Sequence, residues 1–167
     1  MARMQRLLRN LFAGWFQLRA HFSEALLEEI AQAIAAGERT HRGEVRLAVE
    51  SRLAPGAVLG GLTAHARAEQ VFAQLGVWDT EHNSGVLIYL LLAEHRIEIV
   101  ADRGIARRVA QGEWDAIGAR MREHFGQGRW REGCLEGIAA VHGLLARHFP
   151  SDGEGRLDEL PDRPVLL

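Results

Sequence analysis

The chain has 167 residues, a single cysteine, 20 basic residues against 22 acidic ones, and a formal net charge of -2 at pH 7. A content of 47% hydrophobic and 25% charged residues suits one globular domain, able to bury a core without metals or disulfides as staples. The near-neutral charge argues against bulk attraction to nucleic acid, and a lone Cys134 excludes an intramolecular disulfide and points to a reducing compartment.

Residues 1–20 read as a basic amphipathic helix. Met4, Leu7, Leu8, Leu11, Phe12, Trp15, Phe16 and Leu18 recur mostly at three- and four-residue steps, and Arg3, Arg6, Arg9 and Arg19 supply all the charge before Glu24. Such a helix packs on its own domain, lies on an anionic membrane surface, or meets a partner protein. It lacks a small-residue cleavage site, so a secretory signal is not expected. The longest apolar run, Val86 to Ala93, falls far short of the ~20 residues of a spanning helix. The expected location is cytoplasmic, with peripheral membrane attachment as the variant.

Ser23 reads as an N-cap for a helix paced by Leu26, Leu27, Ile30, Ala33 and Ile34, ending near Thr40. Glu44 to Glu50 alternates polar and apolar, which predicts a strand with one buried face. Pro55 and Gly56 break the chain, and a helix is predicted over about Val58 to Leu75. Val86 to Leu92 suits a central strand buried on both faces. Glu94-His95 turns, and Arg96 to Val100 returns as an alternating strand stopped at Gly104. Trp114, Ile117, Met121 and Phe125 pace one closing helix; Trp130, Cys134, Ile138, Val141 and Leu145 pace the next, with Cys134 read as a core residue. Residues 150–167 read as an extended or disordered acidic, proline-bearing tail.

A strand, a helix and a second strand make a right-handed crossover, so the first two strands are predicted parallel; the third returns antiparallel through the hairpin. Asp102 therefore meets Asn83 and Glu44 at one sheet edge. Asp79, Glu81, His82 and Arg103 join them, with Glu38 and His41 as neighbours. Oxygen-rich groups with imidazoles suit a hard cation such as Ca²⁺ or Mg²⁺, or a water armed against a phosphate ester that Arg103 holds. A solvated rim is the plainer alternative. There is no phosphate loop, no HExxH spacing and no acylating serine; the later arginines alternate with acids and read as a mixed solvated surface, not a nucleic-acid face.

The stretch Val71-Phe72-Ala73-Gln74-Leu75-Gly76-Val77-Trp78 through Asn83-Ser84-Gly85-Val86-Leu87-Ile88, followed by Val100-Ala101-Asp102-Arg103-Gly104, resembles the TPM-domain family, also called TPM phosphatase. Gly128-Arg129-Trp130-Arg131-Glu132-Gly133 is similar to the family's junction between its closing helices. The likeness covers roughly Ser23 to Phe149, and the ending Asp158 to Val165 resembles a short bacterial subgroup, a lone soluble domain. The resemblance implies a three-layer α/β/α sandwich around a small mixed sheet, here with an extra N-terminal helix. It also implies a Ca²⁺ or other divalent site and phosphatase activity in some members, with accessory or assembly roles at membranes in others.

Carried onto this chain, the ion would fall to Asp79, Asn83, Asp102 and Glu38, with His82 as general acid or base and Arg103 on the phosphate. Many members have an acidic pair just before the first domain helix, where this chain has Ala20-His21-Phe22-Ser23. That loss of ligand charge, with Arg19 and His21 on the same edge, favours a non-catalytic binding or assembly module over a metal-assisted phosphatase-like hydrolase.

Overall fold

The computed structural model describes residues 2–12, 15–153 and 159–167. Ala13 and Gly14 of the predicted first helix, and residues 154–158 of the predicted tail, lie outside the described residues. In chain order the elements are α1 (Ala2–Phe12), α2 (Trp15–His21), α3 (Glu24–Glu38), β1 (Glu44–Glu50), α4 (Pro55–Leu59), α5 (Ala64–Gln74), β2 (Gly85–Leu91) and β3 (Arg96–Ala101), then α6 (Arg103–Ala106), α7 (Gln111–Gly126), α8 (Trp130–His148) and β4 (Val165–Leu166). Leu92–Glu94 forms one turn of 3₁₀ helix. The helix predicted over 58–75 is two, because Gly60-Gly61 interrupts it and Thr63 starts α5 afresh as an N-cap, its hydroxyl accepting from Ala66 N at 3.1 Å.

The sheet runs β3-β2-β1-β4. β1 and β2 are parallel, Glu44 opposite Gly85, and β3 returns antiparallel with Val86 opposite Ala101. β2 is thus interior to the sheet, as predicted, and β3 is an edge strand. The residues expected as a tail instead return to the sheet, Val165 pairing with Ala48 and Leu166 with Val49 in parallel. Helices α3, α7 and α8 cover one face through Leu26, Ile30, Ile117, Met121, Ile138 and Val141. The other face lies under α4, α5 and the C-terminus, with Leu7 of α1 alongside, so the fold is a three-layer α/β/α sandwich.

β1 departs from expectation in being buried along both faces. Val45, Leu47 and Val49 enter the first core; Glu44, Arg46 and Glu50 turn the other way and are sealed beneath neighbours. Glu50 takes the Tyr89 hydroxyl at 2.5 Å and both Nε (2.8 Å) and Nη2 (3.1 Å) of Arg67. Burial, then the bond to Glu50, pushes the Tyr89 phenol far above its ordinary pKa, so it stays a donor. Glu44 accepts from Leu160 N at 3.3 Å, and Arg46 faces the carboxylates of Asp162 and Glu38 while burial lowers its pKa.

Helices α3 and α8 meet over an imidazole pair. Gly43 N donates to His41 Nδ1 at 3.0 Å, so the His41 proton sits on Nε2 and is given to His142 Nδ1 at 2.7 Å. That leaves the His142 proton on Nε2, buried and without an acceptor. The His142 ring lies on Gly37, where a Cβ would come within 2.1 Å of it. Burial lowers the His142 pKa from 6.5 to about 4. Its protonation would set two N–H groups against each other. A histidine held neutral stabilises the fold in full above its unfolded pKa, and the contribution fades as pH falls to the folded one. Between pH 7 and 4.5 the wild type is expected to lose more unfolding free energy in urea than His142→Gln does, by at most roughly 3 kcal/mol. Equal losses in the two proteins would contradict the assignment.

Candidate functional site

The predicted rim exists, and backbone hydrogen bonds stitch it. Glu44 N donates to Ser84 O (3.0 Å), Asp102 N to Gly85 O (2.9 Å) and Gly104 N to Asn83 O (3.1 Å). Asn83 takes a left-handed conformation at φ 50°, which Asn tolerates better than most residues. Thr80 holds the turn beneath it, its hydroxyl accepting from Ser84 N at 2.9 Å, and Ser84 Oγ donates to Arg42 O at 3.0 Å. Gly104 is needed because a Cβ there would lie 2.5 Å from Asn83 O and 2.7 Å from His82 O.

The side chains proposed from sequence divide into two sets. Asp79, His82 and Arg103 are exposed, and their side chains make no hydrogen bond among the described residues; Asn83 is half-buried. Glu38 is buried, its Oε1 accepting from Val45 N at 2.6 Å, so it is turned to β1 rather than outward. Asp102 is only 6% exposed. Its Oδ1 accepts from Arg103 N at 2.6 Å and caps the four-residue α6, while Oδ2 is buried with no hydrogen-bond partner.

A hard cation asks for six or more oxygens, several of them charged. Among the described residues no three His, Cys, Asp or Glu side chains gather closely enough to hold one. Asp102 Oδ2 is buried and unpartnered, Asp79 is exposed and apart from it, and Asn83 O already accepts from Gly104 N. These residues do not fit a preassembled Ca²⁺ or Mg²⁺ site.

The segment Ala20 to Ser23 lies elsewhere than the sequence suggested. α3 begins just after it and ends at the rim, where Glu38 meets Val45, so the two are separated by the length of a 15-residue helix, about 22 Å. His21 instead stacks on Trp130 at 4.5 Å, and Phe22 is buried against the same ring. Arg19 and His21 therefore lie well away from the rim. Sequence reasoning missed His142 and Thr80 as buried polar neighbours of this edge. His142 was legible only as the residue after Val141 on the inward face of α8. Cys134 is fully buried, which pushes its thiol up to about 12 and leaves it inert.

At the carboxyl ends of β1 and β2, polar contacts of another kind hold α1. Arg6 donates to Glu94 through Nε (3.1 Å) and Nη2 (2.8 Å), and also to Leu62 O at 2.8 Å. Asn10 is fully buried; it donates to Glu94 at 3.0 Å and accepts from Leu53 N at 2.7 Å. The sequence signalled nothing here beyond the basic character of the helix.

The TPM domain matches residues 18–144 of the chain. Among solved structures, the BA42 protein of the psychrophilic bacterium Bizionia argentinensis superposes with a TM-score of 0.77 at 27% identity, covering 87% of this chain and 95% of that one. The N-terminal domain of a P. gingivalis protein shares the fold with a TM-score of 0.61 at 24% identity, over 78% of this chain and 82% of its own. No curated protein sequence matches the chain.

If Asp102 serves first as a cap, Asp102→Ala should cost about 1 kcal/mol of unfolding free energy. Asp102→Asn, which keeps the capping oxygen, should recover most of that. Urea titration of the three proteins checks both, and an Asn variant as weak as the Ala variant would refute the capping role.

Proposed function

The chain belongs to the TPM-domain family, and from that premise we propose that it is a non-catalytic binding module that docks on an anionic membrane surface through α1. The mounting of α1 carries this reading. The helix is fixed by Arg6 and Asn10 to Glu94, Leu53 and Leu62, not by its whole apolar side. Met4, Leu8 and Leu11 fall at i, i+4 and i+7 on one outward row and remain 62%, 46% and 45% exposed, beside Leu59 of α4 at 61%. Arg3 and Arg9 are exposed on the same helix, which contains no acid.

An apolar row edged by guanidinium groups matches what an interfacial helix presents to a bilayer. The chain contains no lysine, so each of these cations is a fork suited to headgroup phosphate. The energies are modest: about 1 kcal/mol per arginine near an anionic surface, and a few for the apolar row once covered. Weak, reversible attachment follows. Among the described residues no helix is long and apolar enough to cross a membrane.

Co-sedimentation of the full chain with phosphatidylcholine vesicles, with and without phosphatidylserine, tests this. The chain should pellet with the anionic vesicles only, and Arg3→Glu with Arg9→Glu should weaken binding about tenfold or more. Leu8→Ser with Leu11→Ser, which leave every arginine in place, should also weaken binding to the anionic vesicles. Arg6 is left alone because it holds the helix in place. Failure to bind, or binding indifferent to lipid charge and to the arginines, would overturn the reading and leave a protein partner for the row.

The hydrolase alternative rests on the unpartnered Oδ2 of Asp102. With so few donors around it, turnover of p-nitrophenyl phosphate in Ca²⁺ or Mg²⁺ is expected to stay at background. Divalent-dependent turnover that Asp102→Asn abolishes would replace the binding-module reading.

A further inference from the structure

Opposite the rim, at the carboxyl end of β2, a cavity of about 210 Å³ opens between the hairpin turn and the turn joining α7 to α8. Leu90, Leu92, Ile97, Phe125 and Trp130 line it, and Phe125 stacks on Trp130 at 4.7 Å to give a stiff aromatic wall. Three basic side chains share the lining. Arg96 is engaged, its Nη2 donating to Glu98 at 3.0 Å. Arg122 and His95 are exposed on the cavity side, and neither side chain has an ion pair or hydrogen bond among the described residues. His95 is held there in a left-handed conformation at φ 52°, its N–H donating to Leu92 O at 3.1 Å.

An apolar cavity with one uncompensated guanidinium selects for a ligand that is greasy at one end and anionic at the other. Size narrows the class further. A dry cavity of about 150 Å³ accommodates benzene, so this one holds a single ring or a short acyl chain with its carboxylate toward Arg122. In open α/β sheets, ligands tend to bind beyond the carboxyl ends of the parallel strands. This cavity lies there, whereas the rim around Asp102 is at their amino ends. We propose that the cavity is a binding site for a small monocarboxylate with an apolar body, Arg122 taking the carboxylate and Phe125 and Trp130 the ring or chain. The site is independent of α1 docking on a membrane and survives if that reading fails.

Benzoate is the probe, titrated into the isotope-labelled full chain and followed by backbone amide shifts. Saturable shifts should concentrate in residues 90–97 and 122–130, with a dissociation constant on the order of a millimolar, as suits so small a ligand. Benzamide, isosteric but neutral, should bind about tenfold more weakly, and Arg122→Gln should bring benzoate down to the benzamide level, the loss of one charge-assisted contact. Arg122 is exposed, so the variant is expected to fold; were it not to, the benzoate-to-benzamide ratio on the wild type still decides. No saturable shift, shifts centred on the rim, or equal binding of benzoate and benzamide would overturn the proposal.

Discussion

The structure turns on a strand that carries three charges into the interior. β1 places Glu44, Arg46 and Glu50 on a face that is covered, and a buried ion left without its partner costs several kcal/mol. Three neighbouring segments supply the partners. α5 brings Arg67 to Glu50, β2 brings Tyr89 to the same carboxylate, and the C-terminal segment brings Leu160 N to Glu44 and Asp162 to the neighbourhood of Arg46. Residues 159–167 are thus tied to the domain through these buried charges. The pairing of Val165 and Leu166 with β1 is what aligns them.

That requirement explains which parts of the fold were legible in the sequence. Alternation identified β1 as a strand, and the handedness of crossovers correctly brought Glu44, Asn83 and Asp102 to one edge. Alternation also implied a solvent-facing side, because a pattern of charges looks the same whether water or a salt bridge satisfies them. The tail misled for the same reason. Its acids and prolines have the composition of disorder, yet Leu160, Val165 and Leu167 pack into the second core, and Leu167 accepts from Ser51 N and donates to Val49 O. A two-residue strand leaves no period to read. Gly60-Gly61 was visible, but a helix break there was hidden by the apolar residues on either side.

The candidate site was legible as a place and not as a chemistry. Polar residues at strand ends are drawn first to the backbone. Asp102 caps α6, Glu38 caps the start of β1, and Thr80 and Ser84 tie down the turn before β2. Each of these uses a side-chain oxygen that a ligand set would need. Asp102 keeps one buried oxygen unpartnered, and among the described residues no three acidic, His or Cys side chains gather round it as a hard cation needs. The cavity at the other end of the sheet had no sequence signal, because its walls come from β2, β3, α7 and α8 and each contributing residue resembles ordinary core or ordinary surface by itself.

The two ends of the sheet differ in what they leave unfinished. At the rim the backbone is saturated and the glycine at 104 is pressed against carbonyls, so there is little room for a guest. At the far end a single turn, Leu92 to His95, carries two roles on adjacent residues. Glu94 faces α1 and holds it through Arg6 and Asn10, while His95 faces the cavity. Bonds from Ala93 N to Ser51 O and from His95 N to Leu92 O stiffen that turn. An amphipathic helix docked for stability alone would be expected to bury its apolar row and leave its arginines in water. Here α1 follows that pattern only in part: Leu7 packs inward and Arg3 and Arg9 stay in water, but Asn10 and part of Arg6 are buried while Met4, Leu8 and Leu11 face outward. That exposure costs hydrophobic burial within the chain, and it becomes intelligible once the exposed row has something else to cover it.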